Sequence, residues 1–170
     1  MQQYIGTKII NAKPMTRGEY NDWRGWKLPE NENGADEGYL VEYTDGGEPN
    51  MPAHFKGYVS WSPKDVFENA YRKTDGLSFG LALEALKMGK KVARKGWNGK
   101  GMWLIYVPRT AHRQLGKGTP YELALNNEHQ AQSHVTIDGH IDMYTSAGTM
   151  QPGWLASQSD MLSDDWEIVT

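Results

Sequence analysis

Between Lys90 and Val107 the chain reads KKVARKGWNGKGMWLIYV, and from Trp154 to Asp160 it reads WLASQSD. Together the two stretches carry the residue types that hold a flat, negatively charged molecule. Aromatic stacking contributes about 1–3 kcal/mol per base and tolerates different bases. Trp97, Trp103, Tyr106 and Trp154 can supply it. The turn Trp97-Asn98-Gly99-Lys100-Gly101 offers free backbone N–H groups of the kind that cradle anions, with Lys100 as a point charge. Arg94 and Lys95 precede that turn on a strand, where alternation sends them to opposite faces, so at most one of them accompanies Trp97. Ser157 can donate to a phosphate, and Asp160 can accept from a ribose hydroxyl or an adenine amine.

Each of these residues also has a plain structural reading. Trp97, after a glycine, reads either as a pocket wall or as a plug in the core below a hairpin. Trp103 lies in an apolar strand and reads first as core, as does Trp166. Phe79 reads as core too, although it opens a helix that can border a pocket. Asn98-Gly99 is the pair favoured in two-residue hairpin turns, and Lys100 alone reads as a solvated side chain. Ser157 and Asp160 are suited to satisfying the free N–H groups of a helix start. Asp164 and Asp165, beside Trp166, read as solvated.

Catalytic chemistry finds little support in the residues. The five histidines, His54, His112, His129, His134 and His140, show no H-E-x-x-H or other ligand spacing. His134 and His140 fall on the two arms of one expected hairpin, and a zinc site there would need a third ligand such as Asp142. GKGT at 116–119 is only a fragment of a phosphate-binding loop. The absence of cysteine removes disulfides, thiolate metal sites and cysteine nucleophiles. The reading is a binder without a cofactor or metal, and not an enzyme.

The elements that must position these residues follow from periodicity and punctuation. YIGTKIINAKPM predicts a strand. Thr16 and Glu19 form a capping box at the start of a short helix, and LPENENGADEG an exposed loop. YLVEY and GYVSW alternate as strands. SPKDVFENAYRK predicts a helix with Ser62 as cap, Pro63 in its first position, and Val66, Phe67, Ala70 and Tyr71 on one face. Asp75-Gly76 breaks the chain. The next helix spans SFGLALEALKMG, with Phe79, Ala82, Leu83 and Leu86 as its apolar stripe and Gly89 as its stop. KVARK and MWLIYV are strands flanking the Trp97 turn. The polar segment from Arg109 to Ser133 is at most partly helical. HVTIDGHIDMYT carries the strongest hairpin signal, with Asp138-Gly139 as a type I′ pair. PGWLASQSDMLSDDWEIV closes with a helical turn and a strand. The result is an α+β fold of antiparallel sheets and a few short helices, divided into residues 1–74 and 75–170.

The bulk numbers bound the partners. A chain of 170 residues with 7 Trp and 9 Tyr fits one domain, or two small ones sharing a core. The formal charge of −3 argues against long nucleic acid, which needs a strongly basic face. MQQYIGTKII lacks the apolar core of a signal peptide, and no apolar run approaches the roughly 20 residues of a membrane span. The expectation is a cytosolic protein with no membrane partner.

Over residues 77 to 169, LSFGLALEALKMGKKVARKGWNGKGMWL and then IDMYTSAGTMQPGWLASQSDMLSDDWEIV are similar to a known family in order and distance. The chain resembles the second Thoeris anti-defense family of phage and prophage proteins. The resemblance implies a sponge in the host bacterial cytoplasm, which binds cyclic nucleotide immune signals without cleaving them. The ligand would be glycocyclic ADP-ribose, with cyclic di- or trinucleotides of CBASS systems taken by some members. It also implies a homo-oligomer, often a tetramer, with pockets where protomers meet. Within this pattern Arg94 is the basic residue that shares the site with Trp97. The implied ligand-binding set is Phe79, Arg94, Trp97, Asn98, Gly99, Lys100, Trp103, Trp154, Ser157 and Asp160. The first half, with GTKIINAKPMTRGEYNDWRGW, is similar to a short module of phage genes with no known chemistry. Its Trp23, Trp26, Tyr39 and Trp61 are the basis of the alternative, a non-enzymatic protein–protein interaction module.

Overall fold

Thr16 accepts the Glu19 N–H at 3.2 Å while the Thr16 N–H donates to Glu19 Oε2 at 2.7 Å, so the expected capping box forms and starts a helix. This is α1, Arg17–Arg24, and it follows strand β1, Ile10–Pro14. Strands β2, Gly38–Tyr43, and β3, Tyr58–Pro63, come next, then helix α2, Lys64–Ala70. The computed structural model describes residues 1–51, 55–126 and 131–170; His54 and His129 lie outside the described residues. By contacts the chain divides into two compact units, Met1–Arg72 and Lys73–Thr170.

In the first unit β1, β2 and β3 form an antiparallel sheet in that order. Leu40 stands opposite Trp61 and Glu42 opposite Val59. Alternation therefore places Leu40, Val59 and Trp61 on one face, where Leu40 and Val59 form a core with Tyr20 of α1 and with Met15, Trp23 and Phe55 packed around it. Two expectations need correction. The first strand begins at Ile10 rather than near Tyr4, because its partner strand ends at Tyr43, opposite Ile10. Ser62 and Pro63 are not the cap and first residue of α2. They pair with Tyr39 and Gly38 in the sheet, and the helix begins one residue later with no side-chain cap. Phe67 stacks on Tyr39 at 4.1 Å and on Tyr71 at 5.0 Å, whereas Val66, expected on the same face, is exposed.

The second unit opens with helix α3, Phe79–Lys87, followed by β4, Lys91–Arg94, and β5, Trp103–Val107. Strand β6, Thr110–Gln114, helix α4, Pro120–Leu125, and strand β7, His134–Ile137, follow. Strands β8, His140–Tyr144, and β9, Met150–Gln151, precede helix α5, Gln158–Met161, and strand β10, Trp166–Val169. Five of the strands make one antiparallel sheet, in the order β10-β4-β5-β8-β9. Ala82, Ala85 and Leu86 of α3 lie on it against Val92, Leu104 and Trp166. The edge at β10 is closed by the Leu77 N–H and carbonyl, which exchange hydrogen bonds with Trp166 at 2.8 and 3.1 Å. The architecture is α+β, as the sequence predicted. Among the described residues no helix is long and apolar enough to cross a membrane.

The strongest hairpin signal did not make a hairpin. β7 pairs with β6 in a separate two-stranded sheet, and β8 pairs with β5. A type I′ turn needs positive φ at both central residues, and neither Asp138 nor Gly139 has it. Gly139 serves close approach instead: a Cβ there would come within 2.6 Å of the Tyr106 hydroxyl. Asp138-Gly139 is thus a corner at which the chain leaves one sheet for another. His134 and His140 lie on strands of different sheets and share no edge. The polar segment after Arg109 contains a strand as well as a helix, because β6 is the partner that β7 takes.

Candidate functional site

At the end of the large sheet nearest α5 four aromatic rings converge. Trp166, wholly buried, is the hub: Trp97 lies 5.5 Å from it, Trp154 6.1 Å and Phe79 5.5 Å, ring centre to ring centre. Trp97 and Trp154 meet each other edge to face at 6.1 Å. The three tryptophan pairs are edge to face, a favoured aromatic geometry, and Phe79 is tilted at 40° to Trp166. Trp97, Trp154 and Phe79 are only partly buried, so the cluster is core on its inner side and open on its outer side. Trp97 packs against the core, as its plug reading expects.

The register of the sheet then assembles the polar half. Trp166 pairs with Arg94, which carries the neighbouring Asp165 to the end of β4. Arg94 Nε donates to Asp165 Oδ1 at 2.8 Å and Nη2 to Oδ2 at 3.3 Å, a bidentate pair. The remaining nitrogen, Nη1, donates to Asp160 Oδ1 at 2.8 Å. Asp160 is 8% exposed. Its Oδ1 also receives the Trp97 indole N–H at 3.0 Å, and its Oδ2 receives the Ser157 hydroxyl at 2.6 Å and the Ser157 N–H at 3.0 Å. Ser157 in turn caps α5, accepting the Asp160 N–H at 3.2 Å. The Trp166 indole N–H donates to the Asp160 carbonyl at 3.0 Å. A single short helix thus holds the N–H groups of two tryptophans.

Burial pushes the Asp160 carboxyl up, but the hydrogen bonds from Ser157, Arg94 and Trp97 together outweigh it and hold the group far below the usual carboxylate range. The Arg94 guanidinium likewise lowers Asp165, helped by the Gly96 N–H at 2.8 Å. A carboxylate so held is a poor proton acceptor near neutral pH. Its four acceptor positions are taken up within the chain, so Asp160 acts here on Trp97, Arg94 and α5. Asp165, read from sequence as solvated, is instead an anchor of Arg94. No local pattern marked it, because its role depends on the β10–β4 register.

The other sequence-selected residues separate. Asn98, Gly99 and Lys100 follow Trp97 on the connection between β4 and β5, with Asn98 and Lys100 exposed. Asn98-Gly99 is not the hairpin turn its sequence favours. The left-handed residue is Gly101, at φ 72°, and the two strands pair through Val92 and Leu104, leaving a longer loop between them. Trp103 is not with the others. Leu104 faces the core, so alternation turns Trp103 to the opposite face, where it stacks on Tyr144 at 4.8 Å and 8° with the Lys91 ammonium 5.5 Å from its ring centre. The structure therefore brings together Phe79, Arg94, Trp97, Trp154, Ser157 and Asp160, sets the 98–100 loop directly after Trp97, and leaves Trp103 apart.

Residues 77–169, which contain all of this site, match the family model of the Thoeris anti-defense 2-like domain. The chain belongs to the Thoeris anti-defense 2-like family. The protein Thoeris anti-defense 2 of Bacillus phage SP01 is 37% identical to it over 95 residues, which are 55% of this chain and 96% of that relative. The match to the Thoeris anti-defense 2-like domain begins at Leu77, so the sheet of β1, β2 and β3 with its two helices lies outside it.

Proposed function

We propose that this chain counters Thoeris defense inside the host cell by binding a cyclic nucleotide immune signal and holding it uncleaved. Family membership supports the anti-defense role. The observation that carries the binding mechanism is the half-open aromatic cluster of Trp97, Trp154 and Phe79, beside a loop that exposes Asn98 and Lys100. Rings stack on an adenine face, and the loop amides and the Lys100 ammonium donate to phosphate oxygens. The ligand is glycocyclic ADP-ribose, and cyclic di- or trinucleotides of CBASS systems suit the same chemistry. The carboxylates nearest the rings are engaged with Arg94, Ser157 and Gly96, which favours retention over hydrolysis. A homo-oligomer completes the proposal, to be read by light scattering.

Titration calorimetry with glycocyclic ADP-ribose, followed by heating and mass spectrometry of the released molecule, tests this. Intact ligand is expected, and hydrolysed fragments would demand an enzyme. Trp97→Ala should weaken binding by roughly 5- to 150-fold, the value of one stacked base. The rival, a protein-binding surface on the first unit, draws on Trp26, which is half exposed. Trp23 packs against Phe55, Tyr39 stacks on Phe67, and the Trp61 indole donates to the Met15 carbonyl. Loss of a protein partner in Trp26→Ala, with no nucleotide bound by the wild type, would establish the rival.

A further inference from the structure

Ile141 and Met143 of β8 pack on the core, so His140 and Asp142 share the other face of that strand, two residues apart. His140 Nε2 lies 3.4 Å from Asp142 Oδ1, and His140 Nδ1 lies 2.8 Å from the Asp138 carbonyl oxygen. An oxygen therefore faces each ring nitrogen. The Nδ1 contact with the Asp138 carbonyl is a hydrogen bond, and the Nε2 contact with Asp142 is at ion-pair distance. Asp142 is 9% exposed, and the same Oδ1 accepts the Gly153 N–H at 3.2 Å. Gly153 is left-handed, at φ 76°, and the next residue is Trp154, whose N–H donates to the Ile141 carbonyl at 2.7 Å. The β8–β9 ladder ends at Met143 and Gln151. Past that point two consecutive N–H groups still dock onto β8, one on a side chain and one on the main chain.

We infer that His140 and Asp142 are a positioning pair for Trp154. The imidazole holds the carboxylate against the Gly153 N–H, and that bond fixes the left-handed turn from which the indole enters the aromatic cluster. The orientation of a ring in the cluster thus depends on two polar residues that the strand presents away from it. Neither stands among the residues implied for ligand binding. The functional consequence rests on the proposed nucleotide binding; the structural one does not.

The test uses the full chain labelled with 5-fluorotryptophan, whose seven 19F resonances are assigned by single Trp→Phe replacements. Asp142→Ala is expected to displace the Trp154 resonance and leave those of Trp23 and Trp26 in place. It is also expected to weaken glycocyclic ADP-ribose binding about tenfold, as loss of one hydrogen bond to a buried carboxylate does. Asp142→Asn, whose amide oxygen can still accept the Gly153 N–H, should restore both. A Trp154 resonance that stays put in Asp142→Ala, or a displacement that Asp142→Asn fails to reverse, overturns the pair. Should Asp142→Ala not fold, His140→Ala at its partly exposed position decides the matter: a displaced resonance supports the pair and an unmoved one overturns it. If the resonances behave as expected while the wild type binds no nucleotide, the binding proposal fails and the positioning pair stands.

Discussion

Replacing Asp160 with alanine tests the polar half of the site most directly. The carboxylate holds Arg94, the Trp97 indole and the Ser157 N–H and hydroxyl at 2.6 to 3.0 Å, and both members of the Arg94–Asp160 pair are only 11–12% exposed in their side chains. Breaking a buried ion pair costs about 3–5 kcal/mol. Arg94 keeps its bidentate contact with Asp165, which places the loss near about 3 kcal/mol, of which an unsatisfied indole N–H accounts for about 1–3. For a unit of about 100 residues that corresponds to a fall in Tm of about 12–24 °C. Urea unfolding followed by tryptophan fluorescence, with calorimetry alongside, gives both numbers. Asp164→Ala, at an exposed neighbour, is the control and should stay within about 0.5 kcal/mol of wild type. A loss below about 1 kcal/mol for Asp160→Ala would refute the claim that this carboxylate organises the site. A double-mutant cycle with Arg94→Ala should then show coupling well above the few tenths expected of independent positions.

The remaining predictions concern acid, packing and an edge. The folded-state carboxyls of Asp160 and Asp165 are both depressed, so their stabilisation is fully present above the unfolded value of about 4 and is lost as pH falls toward the folded ones; in urea midpoints taken from pH 5 to pH 2, Asp160→Ala should show the flatter profile. Gly38→Ala should destabilise the first unit by about 1–3 kcal/mol without changing nucleotide affinity, because a Cβ would stand 2.4 Å from both the Ser62 carbonyl oxygen and the Trp61 ring. Asn50→Ala should cost that unit about 1–3 kcal/mol, read by the same urea titration, since the Asn50 amide closes the open edge of β3 with two 2.8 Å bonds to the Val59 backbone.

What was legible in the sequence was whatever local chemistry decides. The Thr16 capping box, the Ser157 and Asp160 helix start and the α3 stripe ending at Gly89 all appear where expected, since each needs only residues within one or two turns. What required register stayed hidden. Asp165 joins Arg94 only because Trp166 pairs with Arg94 across two strands that are distant in sequence. Asp138-Gly139 carried the right turn residues for a hairpin, but β6 and β5 each claimed one arm, and tertiary pairing overrode the dipeptide. Ser62-Pro63 failed for the same reason, as β2 drew both residues into the sheet. The core reading of Trp103 fails by parity: one residue before a core leucine, it faces the other way.

A protein that holds a small molecule gains most when little in the site must be ordered at the moment of contact. Freezing a mobile side chain on binding costs about 0.5–1.5 kcal/mol. The Trp97 ring is already fixed through its N–H by Asp160, which Arg94 and Ser157 fix in turn, and Trp166 supports it from beneath. The carboxylates therefore serve the site by ordering it in advance, with Arg94 balancing one of their two negative charges. The exposed loop of Asn98 and Lys100 stands in contrast, since neither side chain is buried and its left-handed Gly101 gives the backbone room to adjust. Under the proposed function, rigid rings beside an adaptable, positively charged loop would let one site grip the constant part of a family of cyclic nucleotides while the loop conforms to the part that varies.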